Sequence, residues 1–289
     1  MIERKKTVVI SPENRNYPYK LKESLSDCKP IHYRGELSIC NSKSVAVVGS
    51  RNCTEYGIVV AKEIGKKAAE YGAVVISGLA RGIDTASHRG ALSAGAKTVA
   101  VLGGGINTYY PKENKILQDK IGEEGLLISE YEDDFQAKAY TFPQRNRIIS
   151  ALADAVVVVE AQTRSGSLIT AESAIEQGKN VYAVPGNITS KTSMGTNKLI
   201  REGALPLVFI DDVFIDMGLT REISKESEMK LGKEEKAVLE IVMKAGEISF
   251  EQLYHITNIK PQKINGIISV LELKGFVFSE MGKILIAKF

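Results

Sequence analysis

The chain has 289 residues, 44% of them hydrophobic and 25% charged, with 25 Gly, 8 Pro and a formal net charge of +3, which suits one large domain plus a small one and excludes a disordered or collagenous chain. Its three cysteines, Cys28, Cys40 and Cys53, have neither C-x-x-C spacing nor a His cluster beside them, so a disulfide framework and a metal site are not expected, and a cytoplasmic location is. No apolar run approaches the ~20 residues that span a bilayer, and Val8 to Ile10 is too short for a signal-peptide core, so neither membrane insertion nor secretion is expected.

Taken in chain order, residues 1–42 have turn markers at Tyr17-Pro18 and Lys29-Pro30 and read as an irregular lead-in. From 43 to 215 short β-branched runs alternate with amphipathic stretches. The runs are Val45 to Val48, Val74 to Ile76, Thr98 to Leu102, Leu126 to Ile128, Val156 to Val159, Val181 to Val184 and Leu207 to Ile210. Continuous apolar runs fit strands buried on both faces. Helical patterns such as Tyr56 to Tyr71 and Thr170 to Gln177 lie between them, so the fold class is α/β: a Rossmann-like, doubly wound, mostly parallel sheet.

Residues 211–228 carry six acids against Arg221 and Lys225, and an acidic linker is expected at 216–230. Residues 231–289 then predict helices at Lys233 to Lys244, Ser249 to Ile256 and Pro261 to Leu273. A hairpin follows around Met281-Gly282, the pattern of a winged helix-turn-helix domain.

The strands end in small or polar residues, such as Gly49-Ser50-Arg51, Ser77-Gly78 and Gly103-Gly104-Gly105. In doubly wound sheets those ends line the ligand crevice, where helix N-termini present free N–H groups. P-loop, G-x-G-x-x-G and G-x-S-x-G motifs are absent, so ATP hydrolysis, dinucleotide chemistry and a serine nucleophile lose their support, and no cofactor is expected. Asp84 and His88 stand at i, i+4 and could touch, but the plain reading is an Asp near a helix start and a His settling that helix.

Three constellations remain. Arg51 and Arg81 follow the first two strand ends, where rigid guanidinium forks could clamp phosphate. Tyr140 to Arg147 puts Phe142 ahead of Arg145, Asn146 and Arg147, an aromatic beside cations as single-strand binding uses; the plain alternative makes Phe142 a core or loop anchor and Arg145 and Arg147 partners of nearby acids. Arg164-Ser165-Gly166-Ser167 enters a helix from Leu168 and offers an anion nest or ordinary N-capping by Ser167. Lys260 to Asn265 opens the third helix of the small domain and could face a duplex groove. Leu199, Ile200 and Leu205 are candidates for pairing two chains.

Several long segments together resemble the DNA-processing protein A family, also called Smf or DprA: VGSRNCTEYG (48–57), SGLARGIDTASHRGAL (77–92), GGGINTYYPKEN (103–114), TFPQRNRIISALADAVVVVEA (141–161), RSGSLITAESAIEQGKNVYAVPG (164–186) and GTNKLIREGA (195–204). The resemblance implies a non-catalytic, dimeric protein with an extended Rossmann-like domain. It implies that the domain binds and shields single-stranded DNA and helps load RecA in natural transformation and recombination. It also implies DNA contacts at Arg51, Arg81, Phe142, Arg145, Asn146, Arg147 and Arg164 to Ser167, with Asn146 better suited to fixing the loop and Lys138 nearby.

Two other readings stay open. The crevice could hold a nucleoside monophosphate for hydrolysis, with Glu130 or Glu160 as base. The small domain could read duplex DNA.

Overall fold

The structure, a computed structural model, describes residues 5–221, 231–280 and 282–286. The chain divides between Leu219 and Thr220 into two compact units.

The larger unit corrects the expected irregular lead-in. Residues 8 to 35 form β1 (Val8–Ile10), α1 (Tyr19–Ser24) and β2 (Ile31–Gly35). These two strands extend the main sheet antiparallel, β1 on β2 and β2 on β6 (Leu126–Ser129). Tyr17, Leu21 and Ile31 enter the core, which an irregular segment would not do.

The alternation then runs β3 (Ser44–Val48), α2 (Glu55–Glu70), β4 (Val74–Ser77), α3 (Ile83–Ser93), β5 (Thr98–Val101), α4 (Lys115–Glu124) and β6. It continues with α5 (Thr141–Leu152), β7 (Ala155–Val158), α6 (Gly166–Glu176), β8 (Asn180–Ala183), α7 (Met194–Arg201), β9 (Leu205–Pro206) and α8 (Asp212–Asp216). The last strand is the short pair Leu205–Pro206, not the expected Leu207 to Ile210. Leu207 is buried there as a core anchor, while Val208 and Phe209 are exposed.

Among the described residues nine strands form this sheet, in the order β1-β2-β6-β5-β4-β3-β7-β8-β9, parallel from β6 to β9. Successive residues of each strand face opposite layers, as the pleat requires. Ala46 and Val48 join the cluster holding α1, α5, α6 and α7, and Val45 and Val47 join the cluster holding α2, α3 and α8. Both faces are covered, so the strands read as unbroken apolar runs.

From β3 the chain winds outward through β4, β5 and β6, then returns to place β7 on the other side of β3. That reversal is the switch point, and a crevice is expected outside the carboxyl ends of β3 and β7.

The acidic segment begins inside this unit. Val213 and Phe214 of α8 are fully buried, Phe214 stacks on Tyr71 at 4.9 Å, and Asp211 accepts a hydrogen bond from the Tyr71 hydroxyl at 2.8 Å. Met217 and Leu219 pack on the same core. The expected linker at 216–230 therefore loses its first residues to the large unit, and 222–230 lie outside the described residues.

The smaller unit contains α9 (Lys233–Ala245), β10 (Glu247–Ser249), α10 (Phe250–Thr257), α11 (Pro261–Leu273), β11 (Val277–Glu280) and β12 (Lys283–Ile286). Its three antiparallel strands order as β10-β12-β11. Val238, Leu253, Ile264, Leu271 and Ile284 form its own core. Strand β10 escaped the sequence reading because three residues carry no visible period. No described helix is long and apolar enough to cross a membrane.

Candidate nucleic-acid interface

A groove of about 620 Å³ lies at the switch point. Its walls come from the turn after β3 (Gly49 to Asn52), the start of α5 (Phe142 to Asn146) and the entrance to α6 (Gln162 to Ser167). Arg51, Phe142, Arg145, Asn146, Arg164, Ser165, Gly166 and Ser167 all line it, eight of the eleven residues expected to touch DNA.

The turn after β3 is held from below. Ser50 N–H donates to the Glu160 carbonyl at 2.7 Å. A Cβ on Gly49 would stand 2.6 Å from the Ile83 side chain, so β3 and α3 approach this closely only across a glycine. Thr54 caps α2 by accepting from Gly57 N–H, and it gives both its own donors to the Glu160 carboxylate, at 2.8 and 2.6 Å. Arg51 stands exposed on this braced turn, its guanidinium carbon 5.0 Å from the Phe142 ring centre.

At the entrance of α6 the capping residue is Ser165, not the expected Ser167: Ser165 Oγ accepts from Ser167 N–H, because the helix starts at Gly166. Arg164 is exposed beside it. Asn146 ties the two walls together by donating to the Gly166 carbonyl at 3.1 Å and accepting from Arg145 Nε at 3.2 Å. Its amide is thus spent on the loop.

Arg145 is 4% exposed. Its Nη1 donates to the carbonyls of Gly78 and Val101, bracing the β4 turn against the end of β5. Burial lowers its pKa to about 10, against the opposing pull of Asp84. An Arg committed to buried carbonyls is a strut, and the DNA contact expected of Arg145 is corrected accordingly.

Three residues are not brought into the groove lining. Exposed Arg81 pairs with Glu113, whose hydrogen bond and charge raise its pKa. Arg147 gives Nη2 to both oxygens of Glu130, at 2.6 and 2.5 Å. Lys138 Nζ sits 5.6 Å from the Phe135 ring centre. Of the four arginines singled out by the first two constellations, Arg51 and Arg145 thus share the groove lining with Phe142 and Arg164, and Arg81 and Arg147 do not.

Asp84 and His88 form no dyad. Asp84 Oδ2 accepts from Gly78 and Ala80 N–H, while His88 Nδ1 bonds Thr98 Oγ1 at 2.7 Å. Burial pushes the Asp84 carboxyl upward, with Arg145 pulling the other way. No cluster of three or more metal-ligating side chains exists among the described residues.

Of the candidates for pairing two chains, Leu199 is 7% exposed and belongs to the core, and Ile200 packs partly against it. Leu205, on the edge strand β9, is 42% exposed. Leu199 is thus removed from that set.

Sequence reasoning missed Tyr110, Asn52, Pro143, Gln162 and Thr170 in the lining. The Tyr109-Tyr110-Pro111 run, just after the Gly103 to Gly105 strand end, was a signal that could have found the tyrosine.

The profile of the DNA recombination-mediator protein A family matches residues 8–218. This chain belongs to that family. The match covers the larger unit almost end to end and contains every wall of the groove. DNA processing protein DprA of Streptococcus pneumoniae is 46% identical over 202 residues, 69% of this chain and 71% of that protein. Protein Smf of Escherichia coli K12 is 41% identical over 198 residues, 68% of this chain and 53% of that protein. The X-ray structure of the pneumococcal family member superposes with a TM-score of 0.70 at 43% identity, covering 74% of this chain and 75% of that one. A Helicobacter pylori DNA processing protein A, solved for its single-stranded DNA binding mode, superposes with a TM-score of 0.65 at 27% identity, covering 74% and 96%.

Proposed function

We propose that this chain binds single-stranded DNA in the switch-point groove, shields it, and acts without catalysis as a recombination mediator that helps load RecA. The observation that carries the reading is Arg51 held 5.0 Å from the Phe142 ring centre, in one groove with the capped start of α6. A cation for phosphate, an aromatic for a base and an N-terminal helix turn for a second phosphate are the parts that unpaired strands use. The single-strand binding of the Helicobacter pylori relative supports it. We place the protein in the cytoplasm as a homodimer, with Ile200 and Leu205 as candidates for the pairing surface.

Hydrolysis of nucleoside monophosphates has weaker support. Its two proposed bases are spent: Glu160, 3% exposed, holds Thr54, and Glu130 holds Arg147. Duplex reading by the smaller unit draws on its winged-helix element order, but Lys263, Lys274 and Lys283 are each paired with a glutamate.

A gel shift with single-stranded and duplex oligonucleotides at two salt concentrations tests the proposal. Preference for the single strand, weakening steeply with salt, is expected. Duplex preference, or equal affinity of wild type and Arg51→Glu for oligothymidylate, would sink it.

A further inference from the structure

Phe142 is the aromatic that the groove reading singles out, yet it is the less available ring. Its neighbours enclose it: Arg51 at 5.0 Å, Tyr110 with ring centres 5.0 Å apart and planes tilted by 38°, and Gly103, where an added Cβ would lie 2.8 Å from Phe142 Cδ1. Tyr110 is 51% exposed and lines the same groove. Its phenol makes no hydrogen bond among the described residues. The chain on either side of it is anchored: Thr108 N–H and hydroxyl both donate to the Gly105 carbonyl, and Asn114 N–H donates to the Pro111 carbonyl.

An aromatic on an anchored loop, backed by a second ring and half open to solvent, is a preformed platform. Single exposed rings are ordinary on a surface, Tyr19 among them; Tyr110 differs in lining the groove with Phe142 behind it and Arg51 against that second ring. A base covers it without needing a sequence-specific contact, because every base has a π-face.

We propose that Tyr110 is the residue on which a nucleobase stacks, with Phe142 as its backing and Arg51 supplying the adjacent phosphate contact. The inference rests on the single-strand reading of this groove and sharpens it: the aromatic that meets DNA is the tyrosine after β5, outside the α5 segment. What Tyr110 contributes is its face. The hydroxyl is dispensable.

The test uses the full chain and oligothymidylate carrying one 2-aminopurine, whose fluorescence falls when it stacks. Tyr110→Ala is expected to weaken binding by about 5-fold or more, the loss of one base stack, and to abolish the quench. Tyr110→Phe keeps affinity within about 2-fold. Tyr110→Leu, which preserves apolar packing against Phe142, loses affinity as the alanine does. None of the three alters the salt slope, because no charge is removed. Tyr19→Ala, exposed outside the groove lining, binds as wild type.

Wild-type affinity and quench in Tyr110→Ala, alongside loss of binding in Arg51→Glu, overturns this inference and leaves the groove reading standing. Tyr110→Phe as weak as Tyr110→Ala overturns it too, since the contact is then through the hydroxyl. No binding by wild type overturns the groove reading and this inference together.

Discussion

Arg145 Nη1 donates to the carbonyl of Gly78 at 2.6 Å from a position 4% exposed. The same nitrogen serves the Val101 carbonyl, so one side chain fastens the ends of two parallel strands beneath the groove. Arg145→Ala strands two buried carbonyls and removes the cation that pulls most strongly against the upward shift of the buried Asp84 carboxyl. The expected loss of stability is about 3–5 kcal/mol, the range for removing one partner of a buried charged group. Urea unfolding measures it; a loss below about 1 kcal/mol, the surface range, contradicts the strut.

Arg51 and Arg147 look alike as letters and differ in placement. Arg51→Ala removes an exposed cation, so stability stays within about 0.5 kcal/mol while the salt slope of single-strand binding falls by about 0.7, one phosphate's worth. Arg147→Ala strips Glu130, whose side chain is 8% exposed, of its partner and costs about 1–3 kcal/mol of stability. Its effect on single-strand affinity is expected to be under about 2-fold, as surface charges outside a site contribute little. Thermal melts paired with salt titrations of both variants separate the two roles.

These contrasts mark how far the letters carried. Strands β3 to β8 were legible because burial on both faces leaves runs such as Val45 to Val48 and Val156 to Val159 unbroken. Their small or polar ends pointed to the correct edge of the sheet. Strand β2 was not legible, since Ile31 to Gly35 mixes His32 and Arg34 among its apolar residues. Arg145 was misassigned because a basic letter says nothing of its burial; two carbonyls, 67 and 44 residues away in sequence, decide it. Tyr110 was missed for a related reason: Phe142 stood beside arginines in sequence, whereas Tyr110 meets it only in space.

Glycines of the strand-end turns separate into packed and free ones. A Cβ on Gly105 would meet the Glu132 carbonyl oxygen at 2.1 Å and that of Asp133 at 2.3 Å. Gly105→Ala must push back the loop that carries Ala137 and Ala139 to the groove, costing about 1–3 kcal/mol and lowering single-strand affinity. Gly166, in the first turn of α6, has nothing within 4 Å of its Cβ position. Gly166→Ala therefore gains up to about 1 kcal/mol by restricting the unfolded chain. Chemical denaturation of the two variants should move in opposite directions.

His88 supplies a pH signature. The Thr98 hydroxyl donates its single proton to the Val75 carbonyl at 2.8 Å, so its oxygen accepts from His88, and the imidazole proton sits on Nδ1. Nε2 is buried without a partner. Protonating it would place a charge in the core near Arg145, and burial holds its pKa down at about 3. The unfolded chain takes that proton near pH 6.5, the folded one not until about pH 3. Between those values the unfolded state binds more protons, so the contribution of His88 to stability is whole above pH 6.5. It is lost as pH falls, by at most about 1.4 kcal/mol per pH unit. His88→Gln, which cannot charge, should flatten the stability profile between pH 6.5 and 4 relative to wild type. Parallel profiles for the two proteins would mean that the imidazole is protonated, or reached by water, in the folded state.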